Sequence, residues 1–526
     1  MKILPFIAAA SVCLSVCAAD PADSPTPAKA KAGDEKPAES SKLSVTEHTV
    51  TVNGQVLKYK ATAGYLTLSE EDQGKDDGKP DAGAQASASP LPEGGKPAAK
   101  IFFIAYTREG VDAASRPITF AFNGGPGAAS VWLHLGQLGP RRLKLGELVP
   151  NQGPPYSLVD NDETWLTDTD LVFIDPVSTG YSRPAPGVSA GEFHNYQEDI
   201  KSVGEFIRLY TTQNDRWLSP KLIVGESYGG ARAAGLCDYL QNEVGMYLDG
   251  VIIVSGVLSW ENMDYSTGND IAYCLGIPAY ASTAWYYKKD APEYQQQDIL
   301  TVRHEAEQFA MNDYYMALGK GDLLPDADRD RIADQLSKFT GVPKDYIILH
   351  HLRFDITDFR RELLKSEGKA PGRFDSRYTG IVYDADGDIG DASLAAVRGA
   401  FTATINAYIR SELKFESDLP YNVLVDVDPW HFGSDNGYTD LAGPLAQAMT
   451  DNPRLKLWVL TGGYDLAIPY YSTVYTLNHM RLAPAIRQNI TFSEYESGHM
   501  VYTDQIAMKK MRGDFETFLK TAVSGQ

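Results

Sequence analysis

Gly225-Glu226-Ser227-Tyr228-Gly229 sets one serine between two glycines, after the apolar run Leu222-Ile223-Val224 and before alanine-rich sequence that predicts a helix. A G-x-S-x-G segment in that context is a nucleophile elbow. Small residues permit a strained turn that lifts the hydroxyl above a sheet, close to a helix N-terminus. A serine hydroxyl is a weak nucleophile without a base, and in this arrangement the chain order is serine, acid, histidine. Asp465 ends the strand-like run "LKLWVLTGGYD", and of nine histidines only His479 and His499 follow it. His479 falls inside "STVYTLNHMRLA", a helical stretch that should still be connecting strands. His499 comes later, after the strand-like "NITFSEYE" and in the turn "SGHM". We therefore assign Ser227 as nucleophile, His499 as base and Asp465 as the acid that orients it.

Acyl transfer at such a serine develops an oxyanion that needs at least two N–H donors. "FAFNGGPGAAS" offers the second half of that hole, because Gly124 and Gly125 let the backbone approach a substrate closely and Pro126 stiffens the turn. His350-His351 in "LHHLRFD" lacks a third ligand and is assigned to structure, so neither a metal nor a cofactor is expected.

The elements that must position these residues are legible as short apolar runs ending in Gly, Asn or Asp. "PITFAFNGG", "DLVFIDPVSTG", "KLIVGESYGG", "DGVIIVSG" and "LKLWVLTGGYD" alternate with helical sequence, the pattern of a mostly parallel sheet buried on both faces. The fold class expected is α/β. From about 259 to 436 the runs largely stop and amphipathic helices take over, for example "ILTVRHEAEQFAMNDYYMALG" and "LAAVRGAFTATINAYIRSEL". This stretch is expected to form a helical lid over the carboxyl ends of the strands, where ligands bind in such sheets. Nearer the N-terminus, "QVLKYKATAGYLTL" and "KIFFIAYT" predict a hairpin whose long loop covers about 70–99.

A chain of 526 residues, 43% hydrophobic, can bury a large core, and its formal charge of -21 argues against nucleic acid as a partner. Lys2 followed by the apolar stretch from Ile3 to about Val16 reads as a secretory signal peptide over 1–19, cut after Ala18 or Ala19. Attachment as a lipoprotein through Cys17 is the weaker alternative, since Val16 stands where a smaller residue is usual. Residues 20–42 read as a flexible leader rich in Pro, Ala and charge. No later run spans a bilayer, so an exported protein, periplasmic or extracellular, is expected. Cys237 and Cys274 remain after the signal, paired or free.

Taken in order, Asn123 to Gly127, "ETWLTDTDLVFIDPVSTGYS", Gly225 to Gly229, Gly462 to Asp465, and Gly498-His499-Met500 resemble the serine carboxypeptidase family, peptidase family S10 of the α/β-hydrolase fold, in a bacterial-type secreted form. The resemblance implies that Ser227, Asp465 and His499 form a triad, that the N–H groups of Gly125 and Tyr228 form the oxyanion hole, and that peptides with a free C-terminus are the substrates. It also implies that Asn123, Gly124 and Glu226 bind the substrate carboxylate. In the family a second glutamate shares a proton with the one beside the nucleophile; counting along the sequence puts Gln137 in its place, which implies a less acidic optimum. Met500 is implied in the pocket for the leaving residue. Ala128 and Ile468 stand where many or some members carry cysteine. A secreted esterase or acyltransferase of the same fold, or a non-catalytic binding protein, are the alternatives.

Overall fold

In the computed structural model the described residues are 43–69, 97–146, 153–384, 387–434 and 437–524. The expected signal peptide with Cys17, the leader to 42, and residues 70–96 of the expected loop lie outside them. Residues 97–99 of that loop are already strand.

Among the described residues, nine strands form the main path of a ten-stranded sheet: β1 (Ser44–Val52), β2 (Gln55–Ser69), β3 (Pro97–Arg108), β4 (Ile118–Phe122), β5 (Asp170–Ile174), β6 (Lys221–Glu226), β7 (Gly250–Val254), β8 (Lys456–Gly462) and β9 (Ile490–Tyr495). A short segment, Arg183–Pro184, adds to the β3 edge. The spatial order is β1-β2-β3-β5-β4-β6-β7-β8-β9. Strands β1 to β3 are antiparallel neighbours, β3 meets β5 antiparallel, and every pairing from β5 to β9 is parallel. After β4 the chain goes to one side for β5 and returns to the other for β6. The sheet therefore has its switch point beside β4 and β6, the place where such sheets bind ligands.

Strand alternation explains the continuous apolar runs. Leu222 and Val224 of β6 belong to one apolar core with Ile252, Val254, Trp458 and Leu460, while Ile223 belongs to another with Val251, Ile253, Leu457 and Val459. Each face of the sheet is thus roofed. Helices α1 (Tyr196–Gln213) and α2 (Tyr228–Asn242) cover the second face. The first is covered by a long helix at Ala392–Ser411 and by the C-terminal helix Gln505–Val523, where Phe515 stacks on Trp165 with ring centroids 3.7 Å apart.

The described residues of the stretch 259–436, between β7 and β8, are mainly helical, with a short two-stranded piece, Lys369–Pro371 against Thr379–Ile381. Much of this insertion has an apolar core of its own, in which Tyr280 stacks on Phe359 at 4.3 Å and Tyr294 on Phe339 at 4.5 Å. Cys237 and Cys274 are both buried free thiols. Among the described residues no helix is long and apolar enough to cross a membrane.

The lower end of the sheet is tied by a buried ion triad. Asp170, at the start of β5, accepts from Arg116 Nε at 2.8 Å and Arg216 Nη1 at 2.7 Å, and takes the Arg108 N–H at 3.0 Å. All three charged side chains are at most 8% exposed. Replacing Asp170 by Ala would leave two buried guanidinium groups without their counter-charge. We predict a loss of about 3–5 kcal/mol of stability, read from the urea denaturation midpoint; a shift below about 1 kcal/mol would mean that water replaces the carboxylate without penalty.

Candidate active site

Four strand ends deliver the site. Asn123 follows β4, Ser227 follows β6, Asp465 lies just past β8 and His499 just past β9, all at carboxyl ends. Parallel strands make this convergence automatic, since neighbouring strands finish on the same edge of the sheet.

Ser227 has φ 61° and ψ -127°, a region that side chains rarely occupy. Its N–H donates to the Val254 carbonyl at 3.0 Å and its carbonyl accepts from Gly230 at 2.8 Å, so the turn is pinned from both sides. The elbow needs glycine because the first turn of α2 folds back on the strand end: a Cβ on Gly225 would collide with the Gly229 carbonyl, and one on Gly230 would come within 2.9 Å of the Gly256 Cα. Gly124 is wedged equally tightly against the elbow, where a Cβ would meet the Tyr228 and Gly229 amides and lie 2.6 Å from the Glu226 carbonyl. Gly125 beside it has φ +102°. Tyr228 opens α2, so its N–H has no carbonyl a turn earlier to accept it. The backbone contact between the Gly124 loop and the elbow brings the neighbourhoods of the Gly125 and Tyr228 amides together.

Asp465 is fully buried and His499 is 2% exposed. His499 Nδ1 donates to Asp465 Oδ2 at 2.7 Å, and Asp465 Oδ1 accepts the Ala467 and Ile468 N–H groups at 2.7 and 3.0 Å. The His499 main chain is held by N–H donation to the Phe374 carbonyl at 2.6 Å and by Ser255 Oγ donating to its carbonyl at 2.8 Å. Burial disfavours the charged imidazole, but the Asp465 charge and hydrogen bond, with Glu226 adding to them, outweigh it and hold His499 above its usual value. His499 Nε2 and Ser227 Oγ are not hydrogen-bonded; both side chains line one cleft of about 360 Å³. Loose nucleophile-base geometry is common before substrate binds. His479 is exposed at the end of the helix Tyr470–Asn478 and donates back to the Tyr475 carbonyl, away from the site. His350 stacks on Tyr346 at 4.0 Å.

Asn123, Gly124, Glu226, Met500, Ala128 and Ile468 line the same cleft. Asn123 Oδ1 accepts the Leu133 N–H at 3.1 Å, and its carbonyl accepts from Arg232 Nη1 at 2.6 Å. Glu226 is 4% exposed and accepts from Tyr502 Oη at 2.6 Å. Burial pushes its carboxyl up to about 7, with the His499 charge, Tyr502 and the Asn123 amide opposing.

Gln137, expected beside Glu226, is not brought to the cleft. The chain widens into a π-helical turn at His134–Leu138, and Gln137 is fully buried with Nε2 donating to the Met508 carbonyl at 3.0 Å. Tyr502 stands where a proton-sharing partner was expected, packed against Gly136 so closely that a Cβ there would enter its ring. Sequence reasoning missed Tyr502, although its place three residues after His499 was a signal. It also missed Trp132, Arg373 and Phe374 in the lining, the last with its ring 4.9 Å from that of His499.

Over residues 91–316 the chain matches the family model described as serine carboxypeptidase. That span holds the oxyanion loop and the elbow. The chain is 32% identical over 123 residues to the pheromone-processing carboxypeptidase KEX1 of Saccharomyces cerevisiae S288c, which covers 22% of this chain and only 16% of that protein. Among solved structures, proline iminopeptidase of Mycobacterium smegmatis superposes with TM-score 0.36 at 11% identity, over 81% of this chain and 97% of that one. The peroxisomal α/β-hydrolase Lpx1 of Saccharomyces cerevisiae gives 0.35 at 10% identity, over 88% and 90%. The resemblance to serine carboxypeptidases stands on the family match, which supports a hydrolase of the serine peptidase type, and the architecture is a mixed α/β fold with a mostly parallel central sheet.

Gly124 has no room for a side chain, so Gly124→Ala should push the oxyanion loop off the elbow. We expect kcat on an activated ester to fall about 10²- to 10³-fold with the far-UV spectrum retained; an unchanged rate would show that the two loops can separate harmlessly.

Proposed function

We propose that this protein is a serine carboxypeptidase that removes C-terminal residues from peptides through an acyl-enzyme. The observation that carries the proposal is the juxtaposition of a strained serine and a buried Asp-His pair with Glu226, a carboxyl that burial keeps protonated up to near neutral pH. A plain esterase has no use for a neutral carboxyl beside its nucleophile. An enzyme that must accept a substrate carboxylate does, because an ionised Glu226 would repel it.

In the proposed cycle the terminal carboxylate is bound by Asn123, the Gly124 amide and protonated Glu226, which places the last peptide carbonyl over Ser227. His499 Nε2 takes the serine proton as the Oγ–C bond forms, and the N–H groups of Gly125 and Tyr228 hold the oxyanion. Collapse breaks the C–N bond, and His499 returns the proton to the departing amine. Water then attacks the acyl-enzyme by the same route, restoring Ser227. Asp465 stays ionised, fixing the tautomer in which Nε2 is free to act as base. Met500 and Trp132 supply an apolar wall for the leaving residue. Export by the N-terminal segment belongs to the same proposal.

Two titrations frame the rate. His499 must be neutral, so activity is lost as pH falls through its raised value. Glu226 must be protonated for a free-acid substrate, so activity is also lost as pH rises through about 7. The two sites interact and the limbs belong to the pair. With matched peptides ending in a carboxylate or an amide, we expect Ser227-dependent release of one residue at a time from the free acid, and an alkaline decline confined to it. Glu226→Gln should abolish that decline and, by removing a negative neighbour, move the acidic limb to lower pH. Tyr502→Phe should shift the alkaline limb upward, because the lost hydrogen bond favours the ionised form of Glu226. Equal rates on acid and amide, or ester cleavage alone, would sink the carboxypeptidase assignment and leave an esterase or acyltransferase.

A further inference from the structure

The cleft has three charge-bearing side chains in its lining, Glu226, His499 and Arg373. The first two are committed, Glu226 to Tyr502 and His499 to Asp465. Arg373 is exposed at the mouth, and among the described residues its guanidinium makes no ion pair within 4.0 Å and no side-chain hydrogen bond, its recorded contact being the Phe374 ring at 5.6 Å. Other arginines set close to carboxylates in this chain, such as Arg116, Arg216, Arg232, Arg303 and Arg377, are paired with them. Asp391, the acid that the Arg373 main chain touches, is engaged by main chain: its Oδ1 accepts the Arg373 N–H at 3.1 Å and the Ser393 N–H at 3.0 Å.

The backbone of Arg373 is fixed even though its head is free. Its carbonyl accepts the Leu466 N–H at 3.0 Å, next to the triad acid, and the following Phe374 N–H donates to Ser393 Oγ at 3.1 Å. Those tethers set Arg373 beside the start of the helix Ala392–Ser411, whose Leu394 faces the cleft. Leu394 packs with Met500, Trp132, Ala128 and Leu424 on one apolar core, whereas Trp260 and Phe432 on the opposite wall pack with Tyr228 on the other. The main chain therefore sets Arg373, a residue of the cleft lining, next to the wall that carries Met500, the side that the proposed function gives to the leaving residue. A guanidinium there, beside an apolar wall in a chain of net charge -21, is a local positive spot with donors to spare.

We infer that Arg373 selects the residue to be released, by pairing with a carboxylate on its side chain, so that peptides ending in glutamate or aspartate are preferred. This rests on the carboxypeptidase reading for which end of the substrate lies in that part of the cleft. The terminal carboxylate goes to Asn123 and Glu226, and the side-chain carboxylate of the same residue reaches outward to Arg373. A glutamine in that position fills the same volume and loses only the charge-assisted pair.

The test is binding of matched peptides ending in Glu or Gln to the full-length Ser227→Ala protein, by calorimetry, with Arg373 intact or replaced by Met or Lys. With Arg373 intact the Glu peptide should bind about tenfold more tightly at low salt. Arg373→Met should erase that ratio while leaving the Gln peptide's affinity and the melting temperature in place, and Arg373→Lys should restore part of it. Moving the glutamate one residue inward should also remove the preference. Equal affinity for Glu and Gln with Arg373 intact, or a preference that survives Arg373→Met, overturns the inference. The same peptides as C-terminal amides keep the two ideas apart: undiminished binding of the amides counts against the carboxypeptidase reading, while the Glu-to-Gln ratio still reports on Arg373.

Discussion

The site depends on keeping Ser227 in a backbone conformation that would not persist on its own. Such a conformation costs about 1–3 kcal/mol, so the surrounding structure must over-determine it. Much of that constraint comes from one buried pair. Arg232 Nε and Nη2 donate to Asp199 at 2.8 and 3.1 Å, Tyr228 Oη donates to the same carboxylate at 2.9 Å, and Arg232 Nη1 reaches the Asn123 carbonyl at 2.6 Å. Three elements meet there: the first turn of α1, the elbow helix α2 and the loop after β4. Removing one partner of such a pair typically costs more than the strain it holds, so the network can keep the elbow cocked and the oxyanion loop against it.

The same geometry explains why the cleft is open to specialisation. Its two walls pack on different faces of the sheet, one with Tyr228, Trp260 and Phe432, the other with Trp132, Met500 and Leu394, and Gly124 presses against the elbow between them. The insertion after β7 closes the top and brings a core largely its own. Residues of the insertion that line the cleft can therefore change without disturbing the strand ends that carry Ser227, Asp465 and His499. Loops and insertions are where specificity is expected to lie on a rigid scaffold.

What the sequence disclosed follows this division. The parallel strands were legible because each is a short apolar run closed by a turn residue, and the Asp465–His499 pair beside Ser227 was legible because chain order limits the histidines that can follow the acid. Glycine spacing located the elbow and its partner loop, since those glycines answer a steric demand that is local. Gln137 was misplaced because counting along the chain presumes a regular turn, and the π-helical widening at His134–Leu138 rotates the side chain to Met508. Arg373 was invisible for a different reason: it sits in an irregular stretch of the insertion, tethered by Asp391, Ser393 and Leu466, and no periodicity reports contacts of that kind.

Under the proposed function, Tyr502 in place of a second carboxyl changes the proton count where the substrate carboxylate would bind. Two facing carboxyls hold a substrate carboxylate only while enough protons are shared among three acidic groups, which favours low pH. A phenol buried beside Glu226 has its own ionisation pushed far above the usual range, by burial first and then by the Glu226 charge, so it remains a donor throughout the pH range in which proteins work. Only Glu226 then titrates on the protein side, and burial carries that titration to about 7. Under the proposed function, the less acidic working range expected of Gln137 is assigned to Tyr502 instead. Tyr502 supplies Glu226 with an uncharged donor that needs no proton from solvent, and it does so from the same short segment that carries His499, so the proposed base and the proposed carboxylate site are set by one turn of chain.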